Sequence, residues 1–213
     1  VNLQLYFAPG ACSFVPHAGL EAAEARFEPR LVKLHKGEQR APEYLALNPN
    51  GQVPVLVVDG RPLTQIVAIC DFIDRAFPAA ALLPRTEWER TQALSQLAWM
   101  NSTPHTTATR FFFPERYAES AAARSEVKKR ATEEFRGYLE RVQKLLPESG
   151  YWLGERVSFH DAYAFTLLRW GGFAGIDPHS LPAYHAYAER ILRAPPIAAA
   201  AARERIALDT YKG

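Results

Sequence analysis

The stretch Gly51-Gln52-Val53-Pro54-Val55-Leu56-Val57-Val58-Asp59-Gly60-Arg61-Pro62-Leu63 reads as a strand, a tight turn and a short returning strand. Pro54 sits near the start of the apolar run Val53–Val58, where a lost donor is tolerated. Asp59-Gly60 is a hairpin turn, and Pro62-Leu63 returns. Before it, Asn48-Pro49-Asn50-Gly51 is a double turn signal that closes a short helix over Pro42–Leu47. After it, Gln65–Phe77 reads as a helix with Ile66, Ile69, Cys70 and Ile73 on one face. Nearer the start, Leu3–Phe7 alternates as a strand does, and Ala8-Pro9-Gly10-Ala11 breaks it. Cys12–Arg26 reads as a helix with Pro16 in its first turn, and Phe27–Leu34 as a second strand. The polar run His35–Arg40 leads to the short helix. The order is β-α-β-α-β-β-α: a parallel crossover followed by a hairpin.

Beyond Phe77 no convincing strand appears, so the fold class is α/β followed by all-α. Pro78-Ala79-Ala80-Ala81-Leu82-Leu83-Pro84 looks like a linker bracketed by prolines. The expected division is residues 1–78, a linker 79–87 and an all-helical part 88–213. Glu87–Tyr117 is helical, with Pro104 and Pro114 bending or breaking it. Ala121–Leu146 is charged and amphipathic, and its Lys128-Lys129-Arg130 reads as a solvated face among acidic neighbours. Ser158-Phe159-His160-Asp161 is an N-cap pattern opening a mostly apolar helix to Trp170, central in its bundle. Leu181–Arg193 and Pro196–Ile206 complete the bundle.

Composition narrows the function classes. A formal charge of +2 over 213 residues is no nucleic-acid footprint. No apolar run approaches the length of a membrane span. Val1–Tyr6 lacks the basic flank and apolar core of a signal peptide. Two cysteines are too few for a disulfide scaffold, so a reducing, cytoplasmic setting is expected. Metal binding is not expected.

The crossover and hairpin, with Pro opening the third strand, match the thioredoxin-like arrangement. There, the loop after the first strand places a reactive group at a helix N-terminus. Cys12 stands at that point, and the helix dipole is expected to lower its pKa. Three residues on is Val15, so Cys12 has no resolving partner in its own helix and would exchange with an outside thiol. The plainer reading is a small buried hydrophobe, which is the expectation for Cys70 on an apolar helix face.

Leu5-Tyr6-Phe7-Ala8-Pro9-Gly10-Ala11-Cys12-Ser13 with Pro16-His17 resembles the opening of bacterial beta-class glutathione S-transferases. Lys36-Gly37-Glu38-Gln39, Pro42–Pro49 and Gly51–Leu56 resemble the glutathione-transferase N-domain, and Ser158-x-x-Asp161-Ala162-Tyr163 with Leu168-Arg169-Trp170 its C-domain. The resemblance covers nearly the whole chain. It implies a glutathione site in the first domain, a hydrophobic second-substrate pocket in the second, and a homodimer. Val53 would pair its backbone with the cysteinyl part of glutathione beside a cis Pro54, with Gln52 next to it. Cys12 matches the cysteine that forms a mixed disulfide with glutathione, and Ser13 the serine whose hydroxyl or N–H holds a thiolate. Tyr6 stands where tyrosine-type members carry a catalytic hydroxyl, though in cysteine-type members it more often packs. His35 and Lys36 lie in the loop that contacts the glycyl carboxylate, unless that loop is simply solvated.

Two departures stand out. Where the family carries an acid and then Ser or Gly for the γ-glutamyl end, this chain has Gln65-Ile66. Gln65 keeps an acceptor but loses the charge, and a bond to a charged group is worth about 1.5–3 kcal/mol against about 1 for a neutral one. Weakened glutathione binding, or a changed ligand, is expected. In the C-domain, Asn101 is present, but the His seven residues on is replaced by Ala108. His105, four on, either reaches the cleft or is a helix-surface His. Arg110-Phe111-Phe112-Phe113 with Tyr117 and Trp170 offers an aromatic wall for a hydrophobic electrophile. Phe111, Tyr117 and Trp170 are the candidates, although ordinary core packing suits Phe112 and Trp170. The resemblance therefore implies an enzyme that conjugates glutathione to an electrophile or exchanges thiols through Cys12. The alternative is a binding or assembly module whose glutathione site has decayed. Isomerase and dehalogenase activities occur in the family, and nothing in the sequence singles them out.

Overall fold

The structure is a computed structural model and describes residues 1–212. Its first part is a four-stranded mixed sheet in the order β2-β1-β3-β4, built from β1 (Leu3–Phe7), β2 (Glu28–Leu31), β3 (Val55–Val58) and β4 (Arg61–Thr64). β1 pairs parallel with β2 and antiparallel with β3, and β3 pairs antiparallel with β4. The helices α1 (Phe14–Ala22) and α2 (Pro42–Leu47) are threaded between them, and α3 (Ile66–Ala76) follows β4. This is the thioredoxin-like order expected.

The sheet buries two faces with different partners. Leu3, Leu5 and Phe7 of β1 point with Leu56 and Val58 toward α1 and α3. Tyr6 points the other way, among Tyr44, Val53, Val55 and Val57. A strand covered on both sides carries no polar alternation, which is why β3 reads Val-Leu-Val-Val and is buried throughout. β2 is an exposed edge strand and shorter than the sequence pattern implied, with Pro29 inside it.

The second part is helical: α4 (Glu87–Ser102), α5 (Pro104–Phe112), α6 (Ala121–Leu145), α7 (Phe159–Phe173), α8 (Pro182–Leu192) and α9 (Pro195–Glu204). Pro104 separates α4 from α5, taking the first helical position, where its missing N–H costs nothing. Nearly every residue of α7 is buried, as a central helix requires. Its capping box is formed: Asp161 Oδ2 accepts from the Ser158 N–H at 2.7 Å and the Ser158 hydroxyl at 2.6 Å.

The two parts share one large core. Gly19 of α1 lies so close to Phe159 of α7 that a Cβ there would sit 2.1 Å from the ring. The segment 79–87 is packed as well, with Leu82 and Leu83 buried and the Leu83 N–H donating to Asp74 Oδ1 at 3.0 Å. Asp74 also accepts from Arg85 and Arg90, tying α3 to α4. Among the described residues no helix is long and apolar enough to cross a membrane, and no cluster of three or more potential metal ligands occurs.

Candidate functional site

Strand direction alone brings four separated stretches to one end of the sheet. The loops leaving β1 and β2, the loop entering β3 and the residue leaving β4 all share that end. In turn they carry Cys12 and Ser13, His35 and Lys36, Gln52–Pro54, and Gln65 and Ile66.

The loop before β3 is fixed from below. The Val53–Pro54 peptide is cis. The Gln52 carbonyl accepts from the Tyr44 hydroxyl at 2.8 Å and the Asn48 amide at 2.7 Å. Burial pushes the Tyr44 hydroxyl pKa up, so it remains a donor. The Val53 carbonyl accepts the Cys12 thiol at 3.5 Å, and the Val53 N–H has no partner among the described residues. A peptide edge with a free N–H can pair with an extended ligand as another strand would.

Cys12 lies ahead of α1, in a tight turn, and not within the helix as its composition suggested. The N–H groups of Cys12 and Ser13 approach the sulfur and favour a thiolate. Burial outweighs them and, with the Glu204 carboxylate nearby, pushes the thiol up to about 12. The expected low-pKa thiol is therefore corrected: Cys12 is a buried, protonated donor. Ser13 keeps one of its two expected options, the N–H. It is fully buried, its hydroxyl donates to the Ala8 carbonyl at 3.2 Å and accepts the Ala8 N–H at 3.1 Å. That hydroxyl closes the loop on itself, leaving only the Ser13 N–H to face the sulfur. Tyr6 is partly buried on the α2 face, its ring edge-on to Tyr44 at 5.8 Å. His35 and Lys36 are exposed on a one-turn helix, Leu34–Lys36.

Gln65 occupies a conformation that L residues rarely adopt, φ 72° and ψ 117°, immediately before α3. Such backbone costs of order 1–3 kcal/mol and concentrates at ligand clamps. Its side chain is exposed and makes no capping bond. Ile66 turns its side chain into the core, so what this position offers a ligand is the N–H at the start of a helix.

The helical part holds the Cys12 loop from the other side. Trp170 Nε1 donates to the Gly10 carbonyl at 3.0 Å, and the Gly10 N–H donates to Glu204 Oε2 at 2.8 Å. Glu204 Oε1 in turn meets His17 Nδ1 at 2.8 Å. Gly10 has φ 69°, and a Cβ there would lie 2.8 Å from the Arg169 guanidinium, so two constraints favour glycine.

Asn101 and His105 meet through Tyr163. The Tyr163 hydroxyl donates to Asn101 Oδ1 at 3.1 Å and lies 2.8 Å from His105 Nδ1. The His105 ring stands edge-on to Trp170 at 4.9 Å. His105 is thus no helix-surface residue, and burial lowers its pKa to about 4.

The aromatic wall is shifted by one residue from the sequence expectation. Phe111 is 5% exposed and packs against Phe135, so it is core. Phe112 is 36% exposed and meets Trp170 at 5.8 Å and Phe173 at 6.3 Å. One residue turns a helix face by about 100°, and the break at Pro104 sets the phase of α5. Trp170 is buried as well as lining the wall. Tyr117 is exposed, its hydroxyl 2.6 Å from Thr109 Oγ1. Sequence reasoning gave no role to Tyr44, Asn48, Tyr163, His17 or Glu204. Asn48 beside Pro49 carried a turn signal, whereas nothing local marks Glu204, 194 residues from Gly10.

Comparison with known proteins identifies the family. The glutathione S-transferase N-terminal domain model matches residues 1–75, and the C-terminal domain model residues 100–195. Glutathione S-transferase GST-4.5 of Xanthomonas campestris is 33% identical over 191 residues, covering 89% of this chain and 93% of that protein. Glutathione S-transferase GstA of Escherichia coli O157:H7 is 30% identical over 201 residues, covering 92% and 95%. The solved structure of a sphingomonad glutathione S-transferase complexed with glutathione superposes with a TM-score of 0.83 at 33% identity, over 96% of this chain and 100% of that one. The chain belongs to the glutathione S-transferase family.

Proposed function

We propose that this protein binds glutathione at the open end of its sheet and conjugates it to a hydrophobic aromatic electrophile. The observation that carries this reading is the free Val53 peptide edge, held rigid by Tyr44 and Asn48 and touched by the Cys12 thiol. A tripeptide paired to that edge would set its own sulfur beside Cys12. His35 and Lys36 would meet its glycyl carboxylate, Gln52 would lie beside the paired residue, and Gln65 and the Ile66 N–H would receive the γ-glutamyl end. The protonated Cys12 thiol, freed from the Val53 carbonyl, would donate a hydrogen bond to the glutathione thiolate and favour its ionisation. That thiolate then forms the bond to the electrophilic carbon as a leaving group departs. We also propose that the chain works as a homodimer in the cytoplasm, by analogy with the family.

Turnover of reduced glutathione with an activated aryl chloride tests the reading. Conjugate should form, Cys12→Ala should lower kcat more than it raises KM, and Cys12→Ser, which keeps a donor, should recover part of the loss. No conjugate above the uncatalysed rate would refute it. A second reading, thiol exchange, is favoured by the Cys12 and Ser13 N–H groups that converge on the sulfur and would stabilise a thiolate. It requires a glutathione adduct on wild type after incubation with oxidised glutathione, seen by intact mass, and none on Cys12→Ala. Sedimentation at the mass of a single chain would exclude the dimer.

A further inference from the structure

The Asn101–Tyr163–His105 chain has a direction. The Asn101 amide presents its oxygen to Tyr163, so the single hydroxyl proton of Tyr163 is committed to Asn101 Oδ1. The tyrosine oxygen can then only receive at its second contact, 2.8 Å from His105 Nδ1, so the imidazole proton sits on Nδ1. Nε2 is left with its lone pair. It has no protein partner among the described residues and is not among the buried unpartnered atoms, so it keeps access to solvent. Burial keeps the ring neutral, so Nε2 stays an acceptor across the physiological range.

Its surroundings are aromatic. From His105 the row runs through Trp170 at 4.9 Å to Phe112 at 5.8 Å and on to Phe173 and Phe113, each at 6.3 Å from Phe112. Trp170 ties that row to the Cys12 loop through its bond to the Gly10 carbonyl. Phe113 and Phe173 are 38% and 52% exposed, so the row forms an open face. Arg110 is paired with Glu134 at 2.8 Å, and Arg116 lies over the Phe113 ring at 4.0 Å, on the outer rim. The inner end therefore offers an apolar wall of edge-on aromatic rings with a neutral acceptor beside it.

We propose that His105 determines specificity in the second-substrate pocket, with Nε2 accepting a hydrogen bond from a hydroxyl carried on an aromatic ring, so that phenolic substrates are preferred. This deepens the conjugation reading and rests on it for the word substrate. The recognition itself is tested by binding, without turnover.

The probes are 1-naphthol and 1-methylnaphthalene, which share a ring and differ in the donor, titrated by quenching of tryptophan fluorescence. His105→Leu should weaken naphthol about fivefold or more, the worth of one neutral hydrogen bond, and leave methylnaphthalene within about twofold. Tyr163→Phe, which releases the Nδ1 proton from its partner, should weaken naphthol selectively as well, and His105→Gln should restore part of the preference. In the wild type, nitrogen-15 NMR should place the His105 proton on Nδ1 and show the Nε2 resonance moving when naphthol is added. An equal loss of both probes, or a wild-type proton on Nε2, would overturn the assignment. The conjugation reading fails separately, by absent turnover, and that result would leave the naphthol preference standing as binding specificity.

Discussion

The two walls of the cleft are built by opposite means. On the sheet side the groups at the candidate site are mostly backbone: the Val53 peptide edge, the Cys12 and Ser13 N–H groups around the sulfur, and the start of α3. Their side chains point away or are tied back, Ile66 into the core and the Ser13 hydroxyl onto Ala8. On the helical side the groups are side chains: Phe112, Trp170 and His105, with the buried Tyr163 behind His105. A backbone site tolerates change of side chain provided the turn survives, whereas a side-chain wall changes its ligand with each substitution. The first suits one constant ligand and the second a variable one.

The largest effect that would break this contrast lies on the helical side. Phe111→Ala should cost about 3–5 kcal/mol of stability, because it empties core against Phe135. Phe112→Ala should cost little stability and raise KM for an aromatic second substrate several-fold, since an aromatic pair is worth about 0.5–1.5 kcal/mol. Denaturation midpoints and kinetics on the pair would expose a wall assigned to the wrong residue.

Acid should act on the same side next. Burial holds both His105 and His160 near a pKa of about 4, below the ordinary histidine range. The unfolded chain binds more protons between about 6.5 and 4, so stability is complete above that window and is lost as pH falls through it. The ceiling is about 3 kcal/mol for each histidine. Melting temperature against pH checks this, and His105→Gln should flatten part of the slope. A melting temperature constant from pH 7 to 4 would contradict it.

Legibility followed the same division. The sheet-end site was readable because turn residues, strand alternation and an X-Pro step fix where backbone goes, and strand order then collects His35, Val53 and Gln65 at one end. The helical wall was misplaced by one residue because Phe111 and Phe112 are chemically equal, and only the phase of α5 after Pro104 separates them. The Cys12 thiol was misjudged because a helix start signals a low pKa, while burial in the folded chain reverses it and the Glu204 carboxylate, far along the sequence, adds to the rise. His105 was left open because its partner Tyr163 lies 58 residues away.

On the sheet side the expected effects are smaller. Tyr44→Phe with Asn48→Ala removes both donors to the Gln52 carbonyl. It should weaken glutathione by about tenfold or more, at about 1 kcal/mol per bond, with each single variant weakening it less. Unchanged affinity in the double variant would mean that the loop holds its shape without them.

Calorimetric titration of reduced glutathione into the wild type and Gln65→Glu decides whether the sheet-end site binds the tripeptide. One saturable site per chain is expected, with a wild-type dissociation constant weaker than micromolar and roughly fivefold tighter binding once Gln65→Glu supplies the charge at position 65. Absence of saturable heat, or micromolar wild-type binding that Gln65→Glu leaves unchanged, would contradict it.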